Sequence, residues 1–121
     1  MSLYITLKPD FVFEDARGAL AQLVHDGFKQ VNVLLSKRDC RRGNHYHKVS
    51  KEAFYVVSGA VEVEFNKGEM TENVRFNKGD FFMVEPYVNH SMFFPCDCLM
   101  IQMYDIPVEK SDGTKDIYNA E

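Results

Sequence analysis

The sequence predicts an all-β domain, either a sandwich or a barrel. Apolar and polar residues alternate with a period of two in several segments, candidate strands recur roughly every 8–12 residues, and Gly, Pro, Asn and Asp mark turns between them. The chain of 121 residues has the length of one domain. We therefore expect a single domain over residues 1–121, with a polar C-terminal tail at about 109–121.

The clearest strand follows Gly59. Its Val61, Val63 and Phe65 share one face, and glutamates alternate with them on the other. Further candidate strands, most of them rich in β-branched or aromatic residues, are 28–35, 52–57, 73–76, 81–84, 91–94 and 99–104. Segment 17–25 is the one stretch with the spacing of a short helix, and a short strand fits it nearly as well.

Composition and charge exclude several classes of function. The formal net charge is -4, whereas a general nucleic-acid-binding protein needs a basic surface. No apolar run approaches the roughly 20 residues that span a bilayer, and the N-terminus lacks the features of a signal peptide. The three cysteines cannot all pair within one chain, which favours reduced thiols. We expect a cytoplasmic protein that binds a small molecule rather than nucleic acid or membrane.

Two histidines separated by one residue are the first chemical signal. His45 and His47 flank Tyr46 in an extended segment, so alternation directs both imidazoles to the same side. Glu52 lies an odd number of positions beyond His47, and one unbroken strand would direct it to the opposite side. The polar segment 48–51 is suited to a connection, which would return Glu52 beside the histidines on a neighbouring strand.

A third imidazole can join them. His90 follows Pro86 and begins another candidate strand. Buried charge is unfavourable unless it is paired or bound to metal, and imidazole nitrogens with one carboxylate suit a divalent transition metal better than calcium. These residues therefore predict a metal site; the alternative is a set of surface or hydrogen-bonded core residues. The predicted ligands, called the four-residue cluster below, are His45, His47, Glu52 and His90.

The spacing of these residues resembles the cupin superfamily. Segment 43–47, then Glu52, then Gly59 is similar to the first cupin motif, and Gly79 through Pro86 to His90 is similar to the second. Where the second motif usually has a glycine after the proline, this chain has Tyr87. The resemblance covers residues 28–104 and implies a double-stranded β-helix, or jelly roll. It also implies that the four-residue cluster binds the metal ion of the family.

A narrower resemblance concerns the nucleotide-sugar branch of the superfamily. Segments 15–18 and 42–47 are similar to the rhamnose-pathway epimerases and the sugar ketoisomerases. Segment 42–59 is especially similar to the cupin domain of a bifunctional enzyme of capsular-polysaccharide synthesis, a family in which this domain acts on a UDP-linked keto-sugar and carries zinc. The resemblance implies an isomerase or epimerase for a nucleotide-linked keto-sugar, with zinc as the expected ion and iron, manganese or nickel as alternatives.

Such a reaction needs a general base and a group that stabilises the enolate oxygen. In the metal-free epimerases that the chain resembles, a histidine at the place of His45 is the base. If His45 binds metal through its lone pair, it cannot also accept the proton. The base would then be another group, and Tyr87 stands as a catalytic candidate beside Tyr46, Tyr104 and Lys51.

Three further residues are candidates for binding the substrate. Arg42 precedes the first motif, and its guanidinium group suits a diphosphate, as does that of Arg17 in an Asp-x-Arg-Gly sequence. Tyr46 lies between the two histidines of the first motif. Solvated arginines are the alternative interpretation.

Two broader questions remain open at the level of sequence. Both faces of the candidate strand 99–104 are apolar, which favours a homodimer. The predicted ligands also suit an iron-dependent dioxygenase, and a non-catalytic sugar-binding or regulatory cupin is a third hypothesis.

Overall fold

The computed structural model describes residues 2–120, and within this range the chain forms strands and turns without a helix. This confirms the predicted all-β class. The twelve strands are β1 Ile5–Leu7, β2 Phe11–Asp15, β3 Gly18–Gln22, β4 Gln30–Ser36, β5 Arg41–Tyr46, β6 Glu52–Ser58, β7 Ala60–Lys67, β8 Met70–Asn77, β9 Phe81–Val84, β10 Asn89–Phe93, β11 Cys98–Tyr104 and β12 Tyr118–Asn119.

Ten of these strands form two five-stranded antiparallel sheets, and β2 and β3 form a separate hairpin. Sheet I has the order β1-β9-β6-β11-β4, and sheet II has the order β12-β5-β10-β7-β8. Strands that are neighbours in a sheet, such as β5 and β10, are often distant in sequence. This crossing pattern is that of the double-stranded β-helix, so the fold implied by the cupin resemblance is confirmed.

The inner faces of the two sheets enclose an apolar core rich in phenylalanine. The rings of Phe76 and Phe82 stack with their centroids 3.8 Å apart, and Phe54 stacks on Phe82 at 5.3 Å. On β7 the predicted alternation is confirmed, because its apolar residues are buried while its glutamates are exposed. Burying a side chain of this size stabilises a fold by about 1.5–3 kcal/mol.

Two glycines of the first cupin motif lie where backbones approach closely. Gly43 has φ +85, and a Cβ built on it would lie 2.7 Å from the carbonyl oxygen of His90. Gly59 has φ +83, and its Cβ would lie 2.2 Å from the carbonyl oxygen of Asp97. A side chain at either position would strain the backbone and push neighbouring strands apart. Gly43 therefore keeps β5 close to the strand that carries His90.

The structure gives the conformation of segment 17–25 and of the C-terminal segment, which the sequence did not determine. Residues 18–22 of the segment with helical spacing form β3, which pairs with β2. Within the polar tail predicted at about 109–121, Asp116 is buried and β12 pairs with β5. The contacts of Asp116 and β12 carry no local signal in the sequence, since their partners lie far away along the chain.

Large apolar side chains are exposed on the outer face of sheet I and on the hairpin. Along the outer side of β4, Val31, Val33 and Leu35 are 61%, 68% and 69% exposed. Phe13 and Leu20 are exposed on the hairpin. Among the described residues, no helix is long and apolar enough to cross a membrane.

Candidate functional site

The predicted ligands of the first motif come from both sheets. His45 lies near the end of β5 in sheet II, and His47 follows that strand directly. Glu52 is the first residue of β6, which belongs to sheet I. The expectation that Glu52 lies on a strand neighbouring the histidines is therefore wrong. The connection 48–51 crosses from one sheet to the other, so the carboxylate faces the imidazoles across the interior.

The second motif adds His90 from the strand beside β5. His90 pairs with His45 in the register of β10 and β5, and a bulge follows directly. Before this strand, Tyr87 has φ 68, in the left-handed region that glycine adopts readily. Its amide donates a hydrogen bond to the carbonyl oxygen of His47 at 2.7 Å. The turn thus connects the two motifs even though tyrosine stands where the cupin pattern usually has glycine.

The structure brings the four-residue cluster together. One side-chain ligand atom from each residue lies within 4.8 Å of every other. His47, Glu52 and His90 are 2%, 0% and 1% exposed, whereas His45 is half-buried. The imidazole centroids of His45 and His90 are 4.8 Å apart. The convergence predicted from the sequence is present.

Hydrogen bonds orient two of the imidazoles toward the centre of the cluster. Nδ1 of His47 donates to the carbonyl oxygen of Asp116 at 2.6 Å, and Nδ1 of His90 donates to that of Val88 at 3.2 Å. The Nε2 atom of each ring therefore faces Glu52. Histidines that bind metal usually donate their other ring nitrogen in this way.

Two nitrogens at the centre lack hydrogen bonds. Nε2 of His47 lies 3.0 Å from Oε1 of Glu52 and is hydrogen-bonded to it. Nε2 of His90 lies 2.9 Å from the same oxygen, within ion-pair distance but without a hydrogen bond among the described residues. Buried Nε2 of His45 also has no hydrogen-bond partner among the described residues. Unpaired buried nitrogens are uncommon, and a bound ion is one way to satisfy them.

The electrostatics of the cluster separate the roles of its members. Burial opposes ionisation of Glu52, but the neighbouring His47 and His90 hold the pKa of this carboxyl well below its usual range. Burial would lower the pKa of His47, but its contacts with Glu52 and Asp116 raise it. Burial and the nearby His90 lower the pKa of His45 to about 4. Near neutral pH the site therefore holds an ionised carboxylate and an uncharged His45.

Sheet I supplies a second layer of contacts around Glu52. Nε2 of Gln102 donates to Oε2 of Glu52 at 2.7 Å, and Nδ2 of Asn32 donates to Oε1 of Gln102 at 3.0 Å. Tyr104 is buried, and its ring centroid lies 5.4 Å from that of His47. Burial and the charge of Glu52 raise the pKa of Tyr104. Its phenol therefore stays protonated near neutral pH and can donate a hydrogen bond.

Tyr46 and Tyr87 lie together but outside this cluster. The side chain of Tyr46 points to the face of β5 opposite the two histidines, as alternation requires. It stacks on Tyr87 at 6.2 Å and on Tyr118 at 5.6 Å. The catalytic role of Tyr87 and the binding role of Tyr46 stay predictions. Of the tyrosines considered as bases, Tyr104 is the one beside the cluster.

The two candidate arginines have other contacts. Nε of Arg42 donates to Oγ of Ser36 at 2.8 Å, and Nη2 of Arg42 donates to the carbonyl oxygen of Leu35 at 2.8 Å. The guanidinium of Arg17 is 85% exposed at the tip of the hairpin and donates to Asp15 at 2.9 Å. The structure does not bring either arginine into the four-residue cluster. Their roles in binding substrate stay predictions.

Gln102 and Asp116 are contacts that the sequence analysis missed. Gln102 is a polar residue at an inward position of an otherwise apolar strand, and that interruption could have marked it. Asp116 stands in a polar segment of the chain with no pattern that distinguishes it from the exposed residues around it.

A family model provides the first comparison with known proteins. The model described as the polysaccharide biosynthesis C-terminal domain matches residues 13–92, more than half of the chain. The chain belongs to this family. No match was found among curated proteins.

Solved structures provide the second comparison. The sugar 3,4-ketoisomerase QdtA from Thermoanaerobacterium thermosaccharolyticum, in complex with TDP, has a TM-score of 0.80 at 17% identity, covering 98% of this chain and 88% of that chain. The capsular polysaccharide assembling protein CapF from Staphylococcus aureus has a TM-score of 0.69 at 23% identity. The match covers 92% of this chain and 32% of that chain. The dTDP-4-dehydrorhamnose 3,5-epimerase from Sulfolobus tokodaii has a TM-score of 0.71 at 18% identity. The match covers 84% of this chain and 69% of that chain. These likenesses confirm the cupin fold.

Proposed function

We propose that the chain is a metal-binding isomerase or epimerase that acts on a nucleotide-linked keto-sugar. The observation that carries this proposal is the arrangement of the four-residue cluster. Its buried, ionised carboxylate meets three imidazoles, and two of their Nε2 atoms have no hydrogen-bond partner in the part of the chain that the structure describes. Membership in a polysaccharide-biosynthesis family supports a sugar substrate. The fold is shared with enzymes of TDP- and dTDP-linked sugars.

The donor set fits a divalent transition metal. Three imidazole nitrogens and one carboxylate oxygen suit zinc, our leading candidate, and also iron, manganese or nickel. The Nδ1 hydrogen bonds of His47 and His90 leave their Nε2 atoms directed at a common point. An ion held there supplies a Lewis acid that stabilises developing negative charge on an oxygen.

The protein's own residues would handle the proton. Isomerising a keto-sugar removes a proton from a carbon beside the carbonyl group and returns a proton at another atom. With the histidines bound to the ion, another group would remove the first proton, and Tyr87 is a candidate for this base. The phenol of Tyr104 lies beside the cluster and can donate a hydrogen bond to the enolate oxygen. Gln102 holds Oε2 of Glu52, so that Oε1 faces the histidines.

The substrate class follows from the comparisons and from the charged residues around the site. QdtA was solved with TDP, so we propose a nucleoside diphosphate as the carrier of the sugar. Arg42 is a candidate for contacting the diphosphate, because a guanidinium group forms paired hydrogen bonds with phosphate oxygens. Arg17 and Tyr46 are further candidates.

A metal-free mechanism is the second candidate. Two observations favour it: Nε2 of His45 has no hydrogen-bond partner within residues 2–120, and His45 is the least buried member of the cluster. Without an ion, this nitrogen is free to accept a proton from a substrate. His90, whose ring lies next to that of His45, would then orient the base.

Elemental analysis combined with proton–deuterium exchange on dTDP- and UDP-linked 4-keto-sugars tests the proposal. We expect about one metal ion per wild-type chain, substrate-dependent exchange, and loss of both in His47→Ala. His25→Ala is the matched control, because His25 is exposed and pairs with Asp10 away from the cluster. It should behave as wild type.

Each other outcome has a distinct meaning. Full exchange by a metal-free protein contradicts the metal and supports His45 as the base. Tight binding of a nucleotide sugar without exchange supports a non-catalytic module. Native iron with consumption of dioxygen supports a dioxygenase, which a native zinc ion argues against.

We also infer that two copies associate through the outer face of sheet I. Val31, Val33 and Leu35 form an exposed apolar row along its edge strand, which a second copy would cover. Light scattering at micromolar concentration should show a dimer for wild type and for the control Glu64→Gln. It should show a monomer for Val33→Glu, and a wild-type monomer would contradict the inference. A cytoplasmic location stays a prediction.

A further inference from the structure

The C-terminal segment contains a buried carboxylate whose partners are backbone amides. Asp116 is 1% exposed. Its Oδ1 accepts a hydrogen bond from the amide of Lys48, and its Oδ2 accepts from those of Val49 and Ser50, each at 2.9 Å. Such a set of donors stabilises an ionised carboxylate in a buried position. These three amides belong to the connection that joins His47 to Glu52.

The main chain of the same residue contacts a cluster histidine directly. The carbonyl oxygen of Asp116 accepts the hydrogen bond from Nδ1 of His47 at 2.6 Å. This contact favours the imidazole tautomer that carries its proton on Nδ1, and it directs Nε2 into the cluster. One residue therefore holds both the ring of His47 and the backbone that follows it.

Neighbouring contacts hold this residue in place. The amide of Asp116 donates to the carbonyl oxygen of Val108 at 2.8 Å. After it, β12 pairs with β5, with Asn119 opposite His45. The amide of Ala120 donates to the carbonyl oxygen of Asn44 at 3.2 Å. The C-terminal segment is thus paired with β5, the strand that carries His45 and leads directly to His47.

We propose that Asp116 is a positioning residue for the metal site. Its carboxylate fixes the connection between His47 and Glu52, and this places its own carbonyl oxygen where it orients the imidazole of His47. This inference rests on the proposed function, because it assigns a role in building the proposed metal site. Partners that hydrogen-bond to metal-ligating histidines typically change metal affinity by about 10–100-fold when they are lost.

Zinc affinity of the full-length chain, measured by competition with a chelator, is the first test. We expect Asp116→Ala to bind zinc about 10–100-fold more weakly than wild type. Asp116→Asn keeps the size of the side chain but has one acceptor oxygen. Its zinc affinity should therefore lie between those of wild type and Asp116→Ala. Asp112→Ala is the matched control, because Asp112 is exposed and its side chain bonds to Thr114 within its own turn. It should bind as wild type.

The tautomer of the His47 imidazole, meaning the ring nitrogen that carries the proton, provides a readout that does not depend on metal. In metal-free protein at a pH where the imidazole is uncharged, nitrogen-15 NMR should show the proton on Nδ1. In Asp116→Ala the proton should shift toward Nε2, and the amides of residues 48–50 should lose protection from hydrogen exchange. If Asp116→Ala does not fold, the same measurements on Asp116→Asn decide the question.

The outcomes separate this inference from the proposed function. If wild type binds no metal, the proposed metal site fails, and the ring form of His47 still tests the role of Asp116. Wild-type zinc affinity in the variant that folds, with an unchanged ring form and unchanged amide protection, overturns the role of Asp116 and leaves the metal site standing.

Discussion

The interior between the two sheets has an apolar half and a polar half, and the two are built by the same rule. Alternation directs Phe54 and Phe82 inward in one half, just as it directs His90 inward in the other. The two halves meet where the rings of Phe54 and His90 lie 6.3 Å apart. The apolar half packs stacked rings, whereas the polar half holds a carboxylate among imidazoles.

The difference between the two halves shows that the position of a side chain in the fold and its residue type are determined separately. Strand periodicity places a side chain inside the sandwich, and the residue type then determines what the interior can do. Packed phenylalanines contribute to the free energy of unfolding through burial and ring stacking. Buried ionisable groups contribute little without exact pairing, so we expect the polar half to serve binding rather than stability.

Removing the charge of Glu52 should produce the largest effect on the polar half. Glu52→Gln keeps the volume of the side chain but replaces an anionic ligand with a neutral amide. We expect metal affinity to fall by more than about 100-fold, the upper end for loss of an outer partner. Calorimetric titration measures this, with Glu62→Gln on the exposed face of β7 as control. Unchanged affinity in Glu52→Gln would break the distinction between the halves.

Truncating Phe82 should produce the opposite pattern. Phe82 is fully buried and contacts Phe54 and Phe76 through stacked rings. Phe82→Ala should lower the free energy of unfolding by about 3–5 kcal/mol, because it leaves a cavity. Metal affinity should change by less than about tenfold, since position 82 holds no ligand. Denaturant unfolding of the metal-free protein measures the first quantity. Phe13→Ala on the exposed hairpin is the control, and an equal loss there would contradict burial as the cause.

Acid should destabilise the metal-free protein through His45. Its pKa is lowered to about 4 in the folded chain, against about 6.5 in an unfolded one. Between these values the unfolded chain binds more protons, so the free energy of unfolding falls as pH decreases from about 6.5 to about 4, by up to about 3 kcal/mol. The raised pKa of His47 acts in the other direction, and its contribution is lost as pH rises through the folded value.

Thermal melting of metal-free protein across this pH range checks the acid effect. His45→Asn should flatten the decline, whereas His25→Asn should retain it, because His25 is exposed. A decline that persists unchanged in His45→Asn would assign it to another group.

Much of the fold and the centre of the site could be predicted from sequence because their signals are local. The strand pattern identified β4 and β6 to β11 but not β1, β2 or β12. The spacing from His45 to His90 identified the members of the cluster. The facing position of Glu52 could not be predicted, because alternation defines a face of one strand and not the sheet to which the next strand belongs.

Contacts between distant parts of the chain account for the other differences. Asp116 is separated from Lys48 by 68 positions, and no local pattern marks a carboxylate that will meet backbone amides. Tyr46 was interpreted through its histidine neighbours, although alternation directs it to the other face of β5. Its stacking on Tyr118 depends on the pairing of β12 with β5, which the polar sequence of that region does not indicate.

X-ray absorption spectroscopy of the zinc-loaded protein, with the metal content determined on the same sample, tests the central claim most directly. We predict one ion per chain whose ligands are three imidazole nitrogens and a carboxylate oxygen, and a changed ligand set in His90→Ala. Failure of wild type to retain zinc, or the same spectrum in His90→Ala, would contradict the claim that these four side chains jointly bind a cation.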